Sequence, residues 1–141
     1  MLVELHYVDI KKLMKITKFS IQEHWSRKRR TIHFDLRILN PEKTKLWSWA
    51  IPKAKFPEGN ERILIIRTPD HKKSYMYFDG ILNTGDKVKL YDEGECYIIV
   101  NRQFLKIMKF KGTKIDGVYN FIRISSSSKD DSWILMRSKK N

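Results

Sequence analysis

The sequence predicts an all-β fold, an antiparallel β-barrel with a groove and one or two short helices. About ten short runs are rich in β-branched and aromatic residues, and turn signals separate them. The chain has 141 residues, a length at which a single compact domain is the usual outcome. Strands this short and closely spaced favour a barrel or sandwich, and the lack of long helical patterns argues against a doubly wound α/β fold.

The N-terminal residues 1–18 are expected to form a strand or short helix, and residues 19–137 the barrel core of a single domain. The apolar residues of Asp9–Lys18 fall near helical spacing, which indicates a short helix packed on the domain. Thr31–Leu39 alternates polar and apolar residues, as a half-buried strand does, whereas Arg62–Arg67 is a continuous apolar run. The predicted strands are Phe19–Glu23, Thr31–Leu39, Lys45–Ile51, Arg62–Arg67, Ser74–Phe78, Lys87–Tyr91, Cys96–Val100, Phe104–Phe110, Val118–Ile124 and Trp133–Arg137.

The charge balance points to an anionic partner. The 29 Lys and Arg outnumber the 16 Asp and Glu, which gives a formal net charge of +13. Nucleic acid is the leading candidate, because its phosphates repeat densely and basic side chains release their counterions. The densest basic segments are Arg27–Arg30, His71–Ser74 and Arg137–Lys140.

The sequence also predicts a cytoplasmic, intracellular protein with no membrane partner. No apolar run approaches the roughly 20 residues of a membrane span, and the N-terminus lacks the pattern of a signal peptide. Cys96 is the only cysteine, so the chain forms no internal disulfide and no cysteine-clustered zinc site. Its position within an apolar strand indicates a core residue rather than a nucleophile.

One strand carries the best local signal for chemistry. In Thr31–Leu39, His33, Asp35 and Arg37 share one face, with about 6 to 7 Å between successive side chains. Histidine and aspartate can ligate one divalent metal, and arginine can bind a phosphate through two N–H groups. The pattern alone also fits an exposed strand face with an Asp–Arg pair. Nucleotide-binding glycine loops and the G-x-S-x-G elbow are absent, and the lack of a dense carboxylate cluster favours a single metal.

Four segments, in order, resemble the 3′-phosphoesterase module of DNA ligase D, of which stand-alone versions exist in archaea and bacteria. They read IQEHWSRKRRTIHFDLRI, LWSWAIPK, PDHKKSYMYFDG and DDSWILMR. The resemblance extends from Phe19 to Arg137. It is carried by a histidine, a His-x-Asp-x-Arg strand, a Ser-Trp-Ala-Ile-Pro-Lys segment, and a loop histidine with a tyrosine four residues later.

The resemblance implies a β-barrel enzyme that trims the 3′ end of a primer strand with Mn2+. Such an enzyme removes a terminal 3′-ribonucleoside and then the remaining 3′-phosphate, and leaves a 3′-OH for repair or end joining. Co2+ or Zn2+ would also suit mixed nitrogen and oxygen ligands. The implied partners are DNA primer–template or RNA-tipped DNA ends and a separate ligase or polymerase. The implied residues are His24, His33 and Asp35 as metal ligands, Arg37, His71 and Tyr75 around the scissile phosphate, and Gln22 and Lys53 as substrate-binding positions.

The chain departs from the family pattern in three places. Eight residues separate His24 from His33, more than is typical, and they include the basic run Arg27–Arg30. Pro69 stands where the family has a glutamate, and the segment ILNTGDKVK is shorter than its counterpart. These departures predict a weakened ribonucleoside-removing step with phosphate removal retained.

Two other functions fit parts of the pattern. A non-catalytic β-barrel module would bind nucleic acid in a basic groove and stack bases on Trp25, Trp47 or Trp49. Trp47 and Trp49, however, share a strand face, and such a face more often packs inward. A phosphoesterase for a small phosphorylated molecule is the third reading, for which the charge of +13 is excessive.

Overall fold

The computed structural model describes residues 14–125 and 130–139, which form one antiparallel β-sheet of nine strands. A single 3₁₀ turn, Lys73–Tyr75, lies between the fourth and fifth strands of this described part. No helix among the described residues is long and apolar enough to cross a membrane. The strands are β1 Lys15–Ser26, β2 Thr31–Leu39, β3 Leu46–Ile51, β4 Arg62–His71, β5 Gly80–Ile81, β6 Lys87–Asn101, β7 Leu105–Gly112, β8 Asp116–Ser125 and β9 Asp131–Arg137.

The sheet closes on itself as a barrel. Its order is β1-β2-β3-β4-β9-β8-β7-β6, and β6 pairs back with β1. The short strand β5 adds to the N-terminal part of β6, where Gly80 pairs with Val88. Closure leaves the eight barrel strands paired on both sides, which removes the exposed edges of an open sheet. The predicted antiparallel β-barrel is confirmed.

The interior of the barrel is filled largely by aromatic side chains. Trp49 is fully buried there, and its ring centroid lies 5.0 Å from that of Phe121 and 5.7 Å from that of Trp133. Trp47 is 9% exposed and Trp49 is fully buried, so both belong to the core. The inward packing expected for Trp47 and Trp49 is therefore confirmed, and neither ring is free to stack on a base. Burial of each large apolar side chain contributes about 1.5 to 3 kcal/mol to the stability of the barrel.

The predicted strand Ser74–Phe78 is wrong. This segment contains the 3₁₀ turn and then crosses the outer face of β1. The hydroxyl of Ser20 donates to the carbonyl of Met76, and the amide of Gln22 donates to the carbonyl oxygens of Tyr75 and Phe78 at 3.0 and 3.2 Å. Side chains of β1 therefore satisfy backbone groups that a strand would have paired in a ladder.

Two further boundaries differ from the sequence prediction. The break predicted between the strands Lys87–Tyr91 and Cys96–Val100 is absent, because both belong to β6. Gly94 is needed there because β7 passes so close that a side-chain carbon would collide with the carbonyl oxygen of Lys111. Lys15–Lys18 belong to β1, so the helix predicted for Asp9–Lys18 is wrong over these residues. Residues 9–13 lie outside the described part.

Candidate metal centre

The β1–β2 hairpin assembles the candidate site on the outer face of the barrel. Its ladder pairs His24 with His33 and Gln22 with Asp35. Because side chains alternate along a strand, these four residues lie on the face opposite the core. The ladder runs on to Ser26 and Thr31, so the hairpin itself takes up the long interval between the two histidines. His24 is thereby placed directly across from His33.

Two histidines and one aspartate meet on this face. Nδ1 of His24 lies 2.9 Å from Oδ2 of Asp35, and Nε2 of His33 lies 3.1 Å from Oδ1. The two imidazole rings stack with centroids 4.6 Å apart. One ligand atom from each of the three residues lies within 4.8 Å of the others. Two imidazole nitrogens and a carboxylate suit a first-row divalent cation, and three protein ligands leave positions for water and substrate.

A second carboxylate, Asp86, holds the other nitrogen of His24. Nε2 of His24 lies 2.8 Å from Oδ2 of Asp86, whose Oδ1 accepts the backbone N–H of Arg27 at 3.0 Å. Gly85 has φ of +89°, and a side-chain carbon there would lie 2.7 Å from Cδ of Arg27. The turn is thus shaped to bring Asp86 under the hairpin. A carboxylate on the far nitrogen of a ligating histidine fixes the orientation of its ring.

The charges of this cluster favour an ionised aspartate. Burial raises the pKa of Asp35, but hydrogen bonds from His24 and His33, with the charge of Arg37, overcome it and hold that pKa well below its usual range. The hydrogen bond to Asp35 raises the pKa of His24, against the effect of burial and with support from Asp86. Asp35 is therefore in the charge state that a metal ligand requires.

Arg37 is fixed beside the cluster. It is 4% exposed. Its Nε donates to Oε1 of Gln22 at 3.0 Å, and its Nη2 lies 3.8 Å from Oδ2 of Asp35. Gln22 is fully buried and gives its amide protons to the segment after β4, so its geometry favours positioning Arg37 over touching a substrate. The guanidinium is held in place before any ligand arrives.

A bulge in β4 turns His71 to the outer face. Ser48 pairs with Thr68 and Leu46 pairs with His71, so β4 has one residue more than β3 over this interval. Without that extra residue His71 would point inward, as Arg67 does. Nδ1 of His71 lies 3.1 Å from Oγ of Ser48 and 3.2 Å from Nη1 of Arg37.

These contacts set the protonation of His71. Arginine only donates, so Nδ1 accepts and the proton of the neutral ring is on Nε2. Burial and the positive charge of Arg37 lower the pKa of His71 below the ordinary histidine range. The carbonyl of Pro69 acts in the opposite direction, but its effect is smaller. His71 is therefore neutral at pH 7.

The remaining predicted site residues differ in their placement. The ring of Tyr75 lies 5.5 Å from that of His71, and the guanidinium carbon of Arg37 lies 5.2 Å from the Tyr75 centroid. Lys53 is exposed in the turn after β3, and no hydrogen bond joins it to the cluster among the described residues. Its role as a substrate-binding residue stays a prediction.

Cys96 lies in the core, away from the cluster. It is fully buried on β6, and burial raises the pKa of its thiol. A buried, protonated thiol is a poor nucleophile. The prediction that Cys96 is a core residue is confirmed.

The sequence matches one family model and is similar to several known proteins. The model of the DNA Ligase D 3′-phosphoesterase domain matches residues 22–123, a range that contains the whole cluster and also Asp86. The chain is 31% identical over 129 residues to the multifunctional non-homologous end joining protein LigD of Mycobacterium bovis. It is also 31% identical over 129 residues to the multifunctional non-homologous end joining DNA repair protein LigD of Mycobacterium tuberculosis. Each alignment covers 86% of this chain and 16% of the relative, so the chain spans a small part of these proteins.

Proposed function

The chain belongs to the DNA Ligase D 3′-phosphoesterase domain family, and we propose that it is a divalent-metal-dependent phosphoesterase acting at the 3′ ends of nucleic-acid strands. The reaction is hydrolysis that removes a 3′-terminal ribonucleoside, a 3′-phosphate or both, and leaves a 3′-OH. The observation that carries the proposal is the cluster of His24, His33 and Asp35 with Arg37 and His71 beside it.

His24, His33 and Asp35 would hold the cation, with Mn2+ as the first candidate and Co2+ or Zn2+ as alternatives. When bound, it would supply Lewis-acid polarisation of a phosphoryl oxygen. Asp86 supports this set by fixing the ring of His24 through Nε2, so that Nδ1 faces Asp35.

Arg37 is the residue that binds the scissile phosphate. Nε is taken by Gln22, whereas the Nη groups face the cluster at Asp35 and His71. A guanidinium held in this way stabilises negative charge on the phosphoryl oxygens without the cost of reorganisation.

His71 acts as a hydrogen-bond donor to the phosphate rather than as a general acid. Its Nδ1 already accepts from Arg37, and its lowered pKa keeps the ring neutral at pH 7. The N–H at Nε2 is then the group that the ring offers to a phosphoryl oxygen. The ring of Tyr75 lies beside that of His71, and we assign its hydroxyl to a hydrogen bond with the same phosphate.

The basic β1–β2 turn would hold the nucleic-acid strand near the cluster. Arg27, Lys28, Arg29 and Arg30 are all exposed. Arg27, Lys28 and Arg29 line a cavity of about 660 Å3 together with Asp86, which connects this turn to His24. A separate ligase or polymerase of an end-joining system would then use the 3′-OH.

The test is a gel assay on a primer–template duplex that ends in a 3′-phosphate or in one 3′-ribonucleotide. Conversion to a 3′-OH end should require Mn2+, stop with EDTA, and be lost in Asp35→Asn. Glu61→Gln is the matched control, because Glu61 pairs with Lys55 at the surface. If the duplex binds in a salt-sensitive manner but no metal gives product, the chain is a binding module and the proposal is wrong.

The two kinds of 3′ end should react at different rates. Pro69 stands where the family pattern has a glutamate, so the site has one carboxylate fewer near His71. We expect removal of the ribonucleoside to be several-fold slower than removal of the phosphate. Equal rates on the two ends, at saturating Mn2+, would contradict this.

A further inference from the structure

A second charged cavity lies at one mouth of the barrel. There β4 and β8 end and β7 and β9 begin, and a cavity of about 380 Å3 is lined by cationic and acidic side chains. We call it the basic mouth; its charged residues are Arg67, Asp70, Lys106, Arg123 and Asp131. None of them belongs to the cluster on the outer face.

Both carboxylates of the basic mouth are already paired. Oδ1 of Asp70 lies 3.0 Å from Nη2 of Arg67, and Oδ2 lies 3.1 Å from Nζ of Lys45. Oδ1 of Asp131 accepts from Nε of Arg123 at 2.8 Å and from the indole of Trp133 at 2.9 Å. The two carboxylates therefore neutralise the two arginines, and the charge of Lys106 is not neutralised by either of them.

Lys106 is a buried cation without a carboxylate partner in the described part of the chain. It is 8% exposed. Its Nζ donates to Oδ1 of Asn101 and lies 4.3 Å from the ring centroid of Trp47. Burial, together with the charge of Arg67, lowers the pKa of Lys106 to about 8. An ammonium group has three N–H donors, and one hydrogen bond leaves two of them without an acceptor.

We propose that the basic mouth binds a phosphate group, carried by a nucleic-acid backbone or by a free anion. The cavity is large enough for such a group and presents an ammonium and two guanidinium groups. Asp70 of the basic mouth directly precedes His71, which lies beside the outer-face cluster, so a nucleic-acid strand that reaches one site passes close to the other. This binding is independent of hydrolysis and goes beyond the proposed function.

The experiment follows the indole N–H signal of Trp133 by NMR, in EDTA and without turnover. The ligands are inorganic phosphate and a short single-stranded DNA without terminal phosphates, with chloride at matched ionic strength as the blank. Trp133 lines the cavity, so a bound phosphate group should shift its signal. Trp133→Phe assigns the resonance.

Lys106→Met should weaken phosphate-group binding at least tenfold. Lys109→Met is the matched control, because Lys109 lies on the same strand and points to solvent. Arg67→Gln gives an independent variant, since Asp70 keeps Lys45 as its partner, and it should weaken binding in the same direction. Each variant is first checked for the wild-type pattern of core indole signals.

The outcomes separate the two sources of the phosphate group. Shifts with both ligands identify the strand backbone, and a shift with inorganic phosphate alone identifies a free anion; both support the site. No shift with either ligand overturns the proposal, as do equal affinities for Lys106→Met and Lys109→Met. Because no metal or cleavage is involved, failure here leaves the hydrolysis assay free to succeed or fail by itself.

Discussion

The outer-face cluster and the basic mouth have opposite electrostatic character, although neighbouring residues of β4 lie in or beside them. In the cluster, Asp35 and Asp86 surround His24, and the arrangement suits a bound cation. In the basic mouth both carboxylates form ion pairs with arginines, and Lys106 has no carboxylate partner among the described residues. The strand β4 contributes to both, since Arg67 points inward and a bulge turns His71 outward. One extra residue in β4 thus separates the residues of the proposed cation site from those of the proposed anion site.

The largest effect that would sharpen this comparison is expected for Arg37→Lys. Lysine keeps the charge but cannot hold Gln22 and face the cluster at the same time. We expect kcat to fall by about 10² to 10³, as for loss of one preorganised donor to a developing negative charge. Steady-state kinetics on the 3′-phosphate duplex measure this. A fall of less than about threefold would contradict the assignment of Arg37 to the phosphate.

A smaller effect is expected for Asp86→Asn. The amide keeps the shape but loses the charge that orients His24 through Nε2. Affinity for Mn2+ should fall about 10- to 100-fold, as for other partners of metal-bound histidines, and excess Mn2+ should restore activity. Isothermal titration of Mn2+, together with activity against metal concentration, makes the test. A loss of activity that excess Mn2+ does not restore would assign Asp86 a different role.

The smallest effect concerns the stability of the basic mouth. Lys106 has a folded-state pKa of about 8, below its unfolded value, so the unfolded chain binds more protons between pH 8 and the ordinary lysine range. Wild-type stability should therefore rise with pH across this window. Lys106→Met should be more stable than the wild type by about 1 to 3 kcal/mol at pH 7, because it removes an unpaired buried charge.

Urea unfolding at several pH values would show this difference shrinking as the pH rises towards 10. Lys109→Met should show no such trend, because Lys109 is exposed. If Lys106→Met were less stable than the wild type at pH 7, the cation would be satisfied within the protein, and the case for an anionic ligand would be lost.

Local patterns were sufficient for the part of the site that lies on a single strand. The alternation in Thr31–Leu39 placed His33, Asp35 and Arg37 together, and the aromatic face of β3 identified Trp47 and Trp49 as core. The same alternation along β7 puts Lys106 on the face of Met108 and Phe110, a signal that the sequence does contain.

Tertiary features could not be predicted in this way. Asp86 is 62 residues from His24 in the sequence, and nothing in the sequence of its turn indicates that the two side chains are in contact. The segment Ser74–Phe78 has the composition of a strand, but its backbone carbonyls accept hydrogen bonds from side chains of β1 instead of from a neighbouring strand. The outward turn of His71 depends on a bulge that only the pairing of β3 with β4 reveals.

The most direct test measures hydrolysis and binding of the same 3′-phosphate duplex in Mn2+ for the wild type, Asp35→Asn and Lys106→Met. If hydrolysis and phosphate binding occupy separate sites, Asp35→Asn gives no 3′-OH product yet binds the duplex no more weakly than the wild type. Lys106→Met should bind it more weakly, with a salt dependence reduced by about one ion. Wild-type product formation by Asp35→Asn would contradict the account, because the cluster on the outer face would then not be the seat of the reaction.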